Sequence, residues 1–197
     1  MPCSWMWAFV ALISAAPALV GCEKEPPDLP TGHISWLGTS GPPRLILRAK
    51  PYGFRVLAGD GAWARVRRDP GEVRLDGPGR VPVVAQRTPD GARVKDLAGE
   101  LRVELQATPQ GAALLDRAAA PLGRLVLDNG RVLVYNAGGL PLGTVTAAQG
   151  ALVLRASDAA VTGTVMGCDD LLAAGILLLE ALPLEDRVAL FALRLGR

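Results

Sequence analysis

The sequence predicts a mainly β fold, about twelve antiparallel strands in six hairpins that close into a barrel around an apolar C-terminal helix, with a short extra helix after it. Three observations carry this. APLGRL, LPLGTV and AVTGTV place Gly123, Gly143 and Gly163 at an interval of twenty, and Gly130 and Gly150 keep the same interval. Around these glycines, short runs such as Leu101-Arg102-Val103-Glu104-Leu105 and Val73-Arg74-Leu75 alternate apolar with charged residues, the period of a strand with one dry and one wet face. Finally, Leu171 to Leu182 is apolar at every position but Glu180, so a helix there has no polar back and is satisfied only by complete enclosure.

Taken in order, Met1 to Gly21 carry no charged side chain and run through an apolar core from Trp5 to Val20. This segment, ending in Leu19-Val20-Gly21-Cys22, resembles a bacterial lipoprotein signal peptide with its lipobox. The resemblance implies removal of residues 1–21 and lipidation of Cys22. Residues 1–4 depart from it in lacking Lys or Arg. Glu23 is not the Asp associated with inner-membrane retention, which points to the outer membrane. Residues 22–43 read as a tether, rich in proline (Pro26, Pro27, Pro30, Pro42, Pro43) and glycine, with periodicity only around Ile34 to Leu37. Residues 44–197 form the expected single domain. Half of the full sequence is apolar, enough for a sizeable core.

The hairpins follow from Phe54 onward: 54–66 turning at Gly59-Asp60-Gly61, 73–84 turning at Asp76 to Gly79, 92–103 turning at Asp96 to Gly99, then 114–127, 132–145 and 152–165. A sheet of that size needs its edges paired and its apolar face covered, and a barrel enclosing a helix near 169–182 meets both needs. Asp169 and Asp170 stand where they cap that helix. Beyond it, Pro183 to Leu195 reads as a short amphipathic helix packed on the barrel end, with Leu184, Val188, Phe191 and Leu195 on one face. The competing strand reading puts Ala189, Phe191 and Leu193 together. Six such hairpins followed by an apolar C-terminal helix resemble the tubby-like group of tubby, LURP-one-related proteins and phospholipid scramblases. That resemblance implies a twelve-stranded barrel around its own helix. Tubby domains bind phosphoinositides and scramblases act on membrane lipids, but no residue motif here matches theirs.

The chemistry read from the residues is that of a binding or structural module, not an enzyme. His33 is the single histidine and lies in the tether, which leaves no partner for a hydrolytic triad or a catalytic zinc site; no metal ligands and no cofactor are expected. Of the three cysteines, Cys3 leaves with the leader and Cys22 takes lipid, so Cys168 stands alone. It is either a half-buried residue at the barrel mouth or a thiolate eased by the helix that follows. A net charge of +2 gives no warrant for nucleic acid. The expected partners are the membrane, through the lipid anchor, and an envelope protein or anionic lipid. Arg65, Arg67, Arg68, Arg74 and Arg80 form the densest basic group and are the candidate contact for anionic lipid.

Overall fold

The computed structural model describes residues 33–39, 44–58 and 61–195. Strands β1 (His33–Gly38) and β2 (Leu45–Lys50) precede six hairpins: β3 (Gly53–Ala58) with β4 (Gly61–Asp69), β5 (Glu72–Asp76) with β6 (Val83–Thr88), β7 (Gly91–Asp96) with β8 (Leu101–Thr108), β9 (Gly111–Asp116) with β10 (Pro121–Asp128), β11 (Arg131–Asn136) with β12 (Pro141–Ala148), and β13 (Ala151–Ala156) with β14 (Val161–Met166). Every strand is antiparallel to its sequence neighbours, and β1 pairs with β14, so fourteen strands close into a barrel. The six expected hairpins are β3 to β14. The expectation of about twelve strands falls short by β1 and β2, which lie upstream of Phe54. The prolines and glycines around β1 read as tether, yet Ile34 and Trp36 alternate inward and are buried.

The turns at the two rims differ in chemistry. At the first rim two-residue turns such as Asn129-Gly130 and Gln149-Gly150 have both residues at positive φ, the geometry that matches the twist of a tight hairpin. At the second rim the loops are longer and the residue that opens them folds its side chain over the turn. Asp116 accepts from the amides of Ala118 and Ala120 at 2.8 Å, and Asn136 accepts from Leu140 N at 2.9 Å. Register shifts recur towards this rim, between Val94 and Lys95, Val134 and Tyr135, and Leu154 and Arg155; such bulges add the bend that closure requires.

The glycines at intervals of twenty are explained by these close approaches. A Cβ on Gly143 would collide with the Arg155 carbonyl, one on Gly123 would lie 2.7 Å from Tyr135 O, and one on Gly163 would lie 2.6 Å from Leu37 O.

The interior holds two helices, not one. α1 spans Leu171–Ile176 and begins at Asp170, whose carboxylate accepts from Ala173 N at 2.9 Å. It stops well before Leu182. The chain turns through 177–182, which brings Glu180 into solvent, and returns as α2 (Leu184–Arg194). A continuous helix to 182 would carry the Glu180 carboxylate into the lumen, a cost of several kcal/mol that the turn avoids. α1 packs against β10 to β13 and α2 against β4 to β7, so the pair divides the lumen. α2 therefore does not sit on the barrel end as an amphipathic cover, and the strand alternative for this segment fails. Six consecutive residues, Val188 to Leu193, are buried. Two helices need about 8 to 10 Å between axes, which a fourteen-stranded lumen accommodates and a side-chain-filled small barrel does not. Their inner faces and the inward strand residues, among them Val56, Leu75, Val94, Leu114, Val134 and Leu154, make one core.

Candidate functional site

Strand alternation divides the arginines that cluster in the sequence. Arg65 and Arg67 on β4 and Arg74 on β5 are exposed on the outer wall. Arg68 has the opposite parity, beside Val66 and opposite the buried Val73. It is half-buried, its Nη1 is enclosed without a hydrogen-bond partner, and burial first and the Arg87 charge second lower its pKa. Arg80 belongs to the second rim, where its guanidinium lies 5.0 Å from the Trp63 ring centroid and 3.6 Å from Glu185 Oε1.

The register supplies what the sequence does not show. Arg48 of β2 stands opposite Arg55 of β3, Arg55 opposite Arg65 of β4, and Arg67 opposite Arg74 of β5; Lys50 lies two residues beyond Arg48 on the same face. On the other side of β2, the backbone of Arg48 is in register with residue His33 of β1. The arginine pairs set cations directly against cations, an arrangement that destabilises a sheet. Elsewhere Arg93 pairs with Glu104 at 3.0 Å and Arg131 with Asp128 at 2.9 Å, while Arg124 lies over the Tyr135 ring and Arg155 donates to the Ala159 carbonyl. On the β2 to β5 wall the acids are Asp69, on the same face as Arg67, its register partner Glu72, 3.5 Å from Arg74, and Asp76, the register partner of Arg65. Among the described residues, no ion pair or side-chain hydrogen bond involves Arg48, Lys50, Arg55, Arg65 or Arg67.

The row borders a groove of about 1030 Å³ that runs along β3 and β4 from the Pro51-Tyr52 turn to Gly77-Pro78. Its lining is segregated. Lys50, Arg55, Arg65 and Arg67 line the part nearer the first rim, with Tyr52 75% exposed beside them, while Ala62, Ala64, Gly77 and Pro78 line the part nearer the second. The second part is shallowly built because β4 carries an extra residue at Trp63, where Val56 pairs with Ala64 but Leu57 with Ala62. Trp63 and Ala64 are both buried, and the exposed residue left on this stretch of β4 is the small Ala62. Gly77 is required there, since a Cβ would lie 2.5 Å from Trp63 O.

No family model, curated protein or solved structure matches this chain.

The remaining sequence candidates fall elsewhere. Cys22 lies outside the described residues. Cys168 is half-buried just before α1, and burial pushes its thiol up to about 11, against the thiolate reading. Asp170 is the cap of α1 and pairs with Arg194 at 2.9 Å, a structural role; Asp169 is exposed. Among the described residues no cluster of three or more His, Cys, Asp or Glu is placed to hold a metal ion, and no helix is long and apolar enough to cross a membrane. Arg48 and Lys50 lie upstream of the hairpins that the sequence pattern delimits from Phe54, and Arg55, inside the first of them, joins the basic group only through its register with Arg48 and Arg65. The signal present was the outward parity of Ile46, Arg48 and Lys50 against the inward Leu45, Leu47 and Ala49.

Proposed function

We propose that this chain is a lipid-anchored, non-enzymatic envelope module that binds an anionic envelope component through the outer β2 to β5 wall. The observation that carries it is the row Arg48, Arg55, Arg65 with Lys50 and Arg67 alongside, cations opposed across strands that outnumber the acids of the same wall. A sheet accepts that repulsion when an external anion offsets it. Anchoring rests on the lipobox ending at Cys22, and Glu23 after it favours the outer membrane. A closed barrel that encloses its own C-terminal helices supports a place near the tubby-like group, whose twelve strands this chain exceeds by two.

Flotation of the Cys22→Ser chain with phosphatidylcholine vesicles, with and without phosphatidylglycerol, tests the face. Binding should favour the anionic vesicles, weaken with salt, and lose that preference in Arg48→Gln/Arg55→Gln/Arg65→Gln. Equal flotation on both compositions would sink the reading. The anchor is scored separately, by membrane fractionation of Cys22→Ser cells.

A further inference from the structure

We propose that the groove on β3 and β4 is a site for a single phosphate-bearing amphiphile, its phosphate among Lys50, Arg55, Arg65 and Arg67 and its hydrocarbon chain along Ala62, Gly77 and Pro78. This rests on the reading of the wall as anion-binding and names the ligand class. Two features of the groove select that class. The cations occupy only the part towards the first rim, and the part towards the second rim has no charged lining residue except Asp76 at the boundary, so a polymer carrying charge along its whole length is matched over only part of its path. The site is also concave and runs along the strands, and a volume of about 1030 Å³ takes a lipid-sized molecule lengthwise. Forked guanidiniums from neighbouring strands give bidentate bonds to phosphate oxygens, and Lys50 adds a mobile point charge. Tyr52, 75% exposed in the turn beside Lys50, has an apolar ring and a phenol suited to the boundary between headgroup and chain. The bulge at Trp63, which buries the ring, and the glycine at 77, which lets β5 approach the β4 backbone closely, leave only small groups beside the exposed Ala62.

The test is calorimetric titration of the Cys22→Ser chain with octyl phosphate below its micelle concentration, with inorganic phosphate, and with octyl glucoside, which has the same chain and no charge. Any binding of octyl chains to the apolar residues 5–20 appears equally with octyl glucoside and is subtracted by it. Octyl phosphate should bind more than about tenfold tighter than either control, since both charge pairing and methylene burial contribute. Arg65→Gln should weaken octyl phosphate and inorganic phosphate together. Ala62→Trp, a substitution at an exposed position, should abolish the advantage of octyl phosphate while leaving inorganic phosphate unchanged. Ala62→Leu gives the same readout should the indole disturb folding, with melting temperature as the check. Octyl phosphate binding no tighter than inorganic phosphate overturns the amphiphile site, while anionic-vesicle flotation still stands for the charged wall. Loss of that flotation preference as well overturns both.

Discussion

Arg102 Nε lies 3.0 Å from Asp186 Oδ1 and 3.2 Å from Oδ2, tying the second-rim end of β8 to the first turn of α2. Asp186 is 1% exposed, whereas the Arg102 side chain keeps 24% of its surface in water. The carboxylate is the more vulnerable partner. Arg102→Leu leaves it buried without its cation and should cost about 3 to 5 kcal/mol in urea unfolding, with Arg102→Leu/Asp186→Leu recovering much of that loss. A double variant no more stable than the single one would show that the pair holds the helix by more than charge balance.

The same residue gives the barrel a pH dependence of defined sign. Burial raises the Asp186 pKa, and the Arg102 charge opposes that rise without cancelling it. The folded state therefore holds the proton more tightly than the unfolded chain. The resulting stability is present below the usual Asp range near pH 4 and is lost as pH rises through the elevated folded value. Relative to Asp186→Asn, the parent should lose stability across that window in unfolding titrations. A relative gain with rising pH would reverse the assignment.

Gly143 and Gly150 share a hairpin but differ in what a methyl group would meet. At Gly143 an alanine Cβ strikes the Arg155 carbonyl, and backbone cannot yield as a flexible side chain does. Gly143→Ala should cost about 1 to 3 kcal/mol or more. At Gly150, φ is 76° and nothing lies within 4 Å, so Gly150→Ala should cost about 1 kcal/mol through backbone conformation alone. Denaturation midpoints that reverse this order would detach the twenty-residue repeat from strand packing.

The hairpins were legible because their period appears twice over, in alternation along each strand and in glycines forced by neighbouring backbones. β1 was not, since Ile34 and Trp36 give only two inward positions amid prolines and the pairing with β14 that secures them spans the whole chain. Composition hid the helix pair for a different reason: Leu171 to Leu182 is apolar whether it forms one helix or a helix and a turn. The single charge, Glu180, marked the turn, and burial of Val188 to Leu193 follows from the second helix sharing the lumen. For the arginines, adjacency in sequence misled where parity was informative. Arg67 and Arg68 are neighbours on opposite faces, while Arg48, Arg55 and Arg65 meet only through register.

Cys168 should be slow to alkylate. With its thiol pushed up to about 11 by burial, the thiolate fraction at neutral pH is far below that of an ordinary cysteine near 8.5, and iodoacetamide labelling should be roughly a hundredfold slower than for a free thiol. Comparing Cys22→Ser with Cys22→Ser/Cys168→Ser by mass spectrometry isolates the site. Fast labelling of Cys168 in the folded chain would restore it as a reactive group.

The helix pair itself is decided by where a carboxylate is tolerated. Ile176 ends α1 with none of its surface exposed, while Leu178, two residues on, is half-buried at the start of the turn. If 171–182 were a single lumen helix, both positions would refuse a charge. In the helix and turn seen here they differ. Ile176→Asp places an unpaired carboxylate in the dry core, and its cost of several kcal/mol is a large share of the roughly 5 to 15 a domain this size holds. Leu178→Asp can turn its carboxylate towards the water that Glu180 already reaches and should cost about 1 to 2 kcal/mol. Cooperative unfolding should therefore survive Leu178→Asp and fail in Ile176→Asp. Equal loss in both would favour the continuous helix, and indifference in both would remove α1 from the lumen.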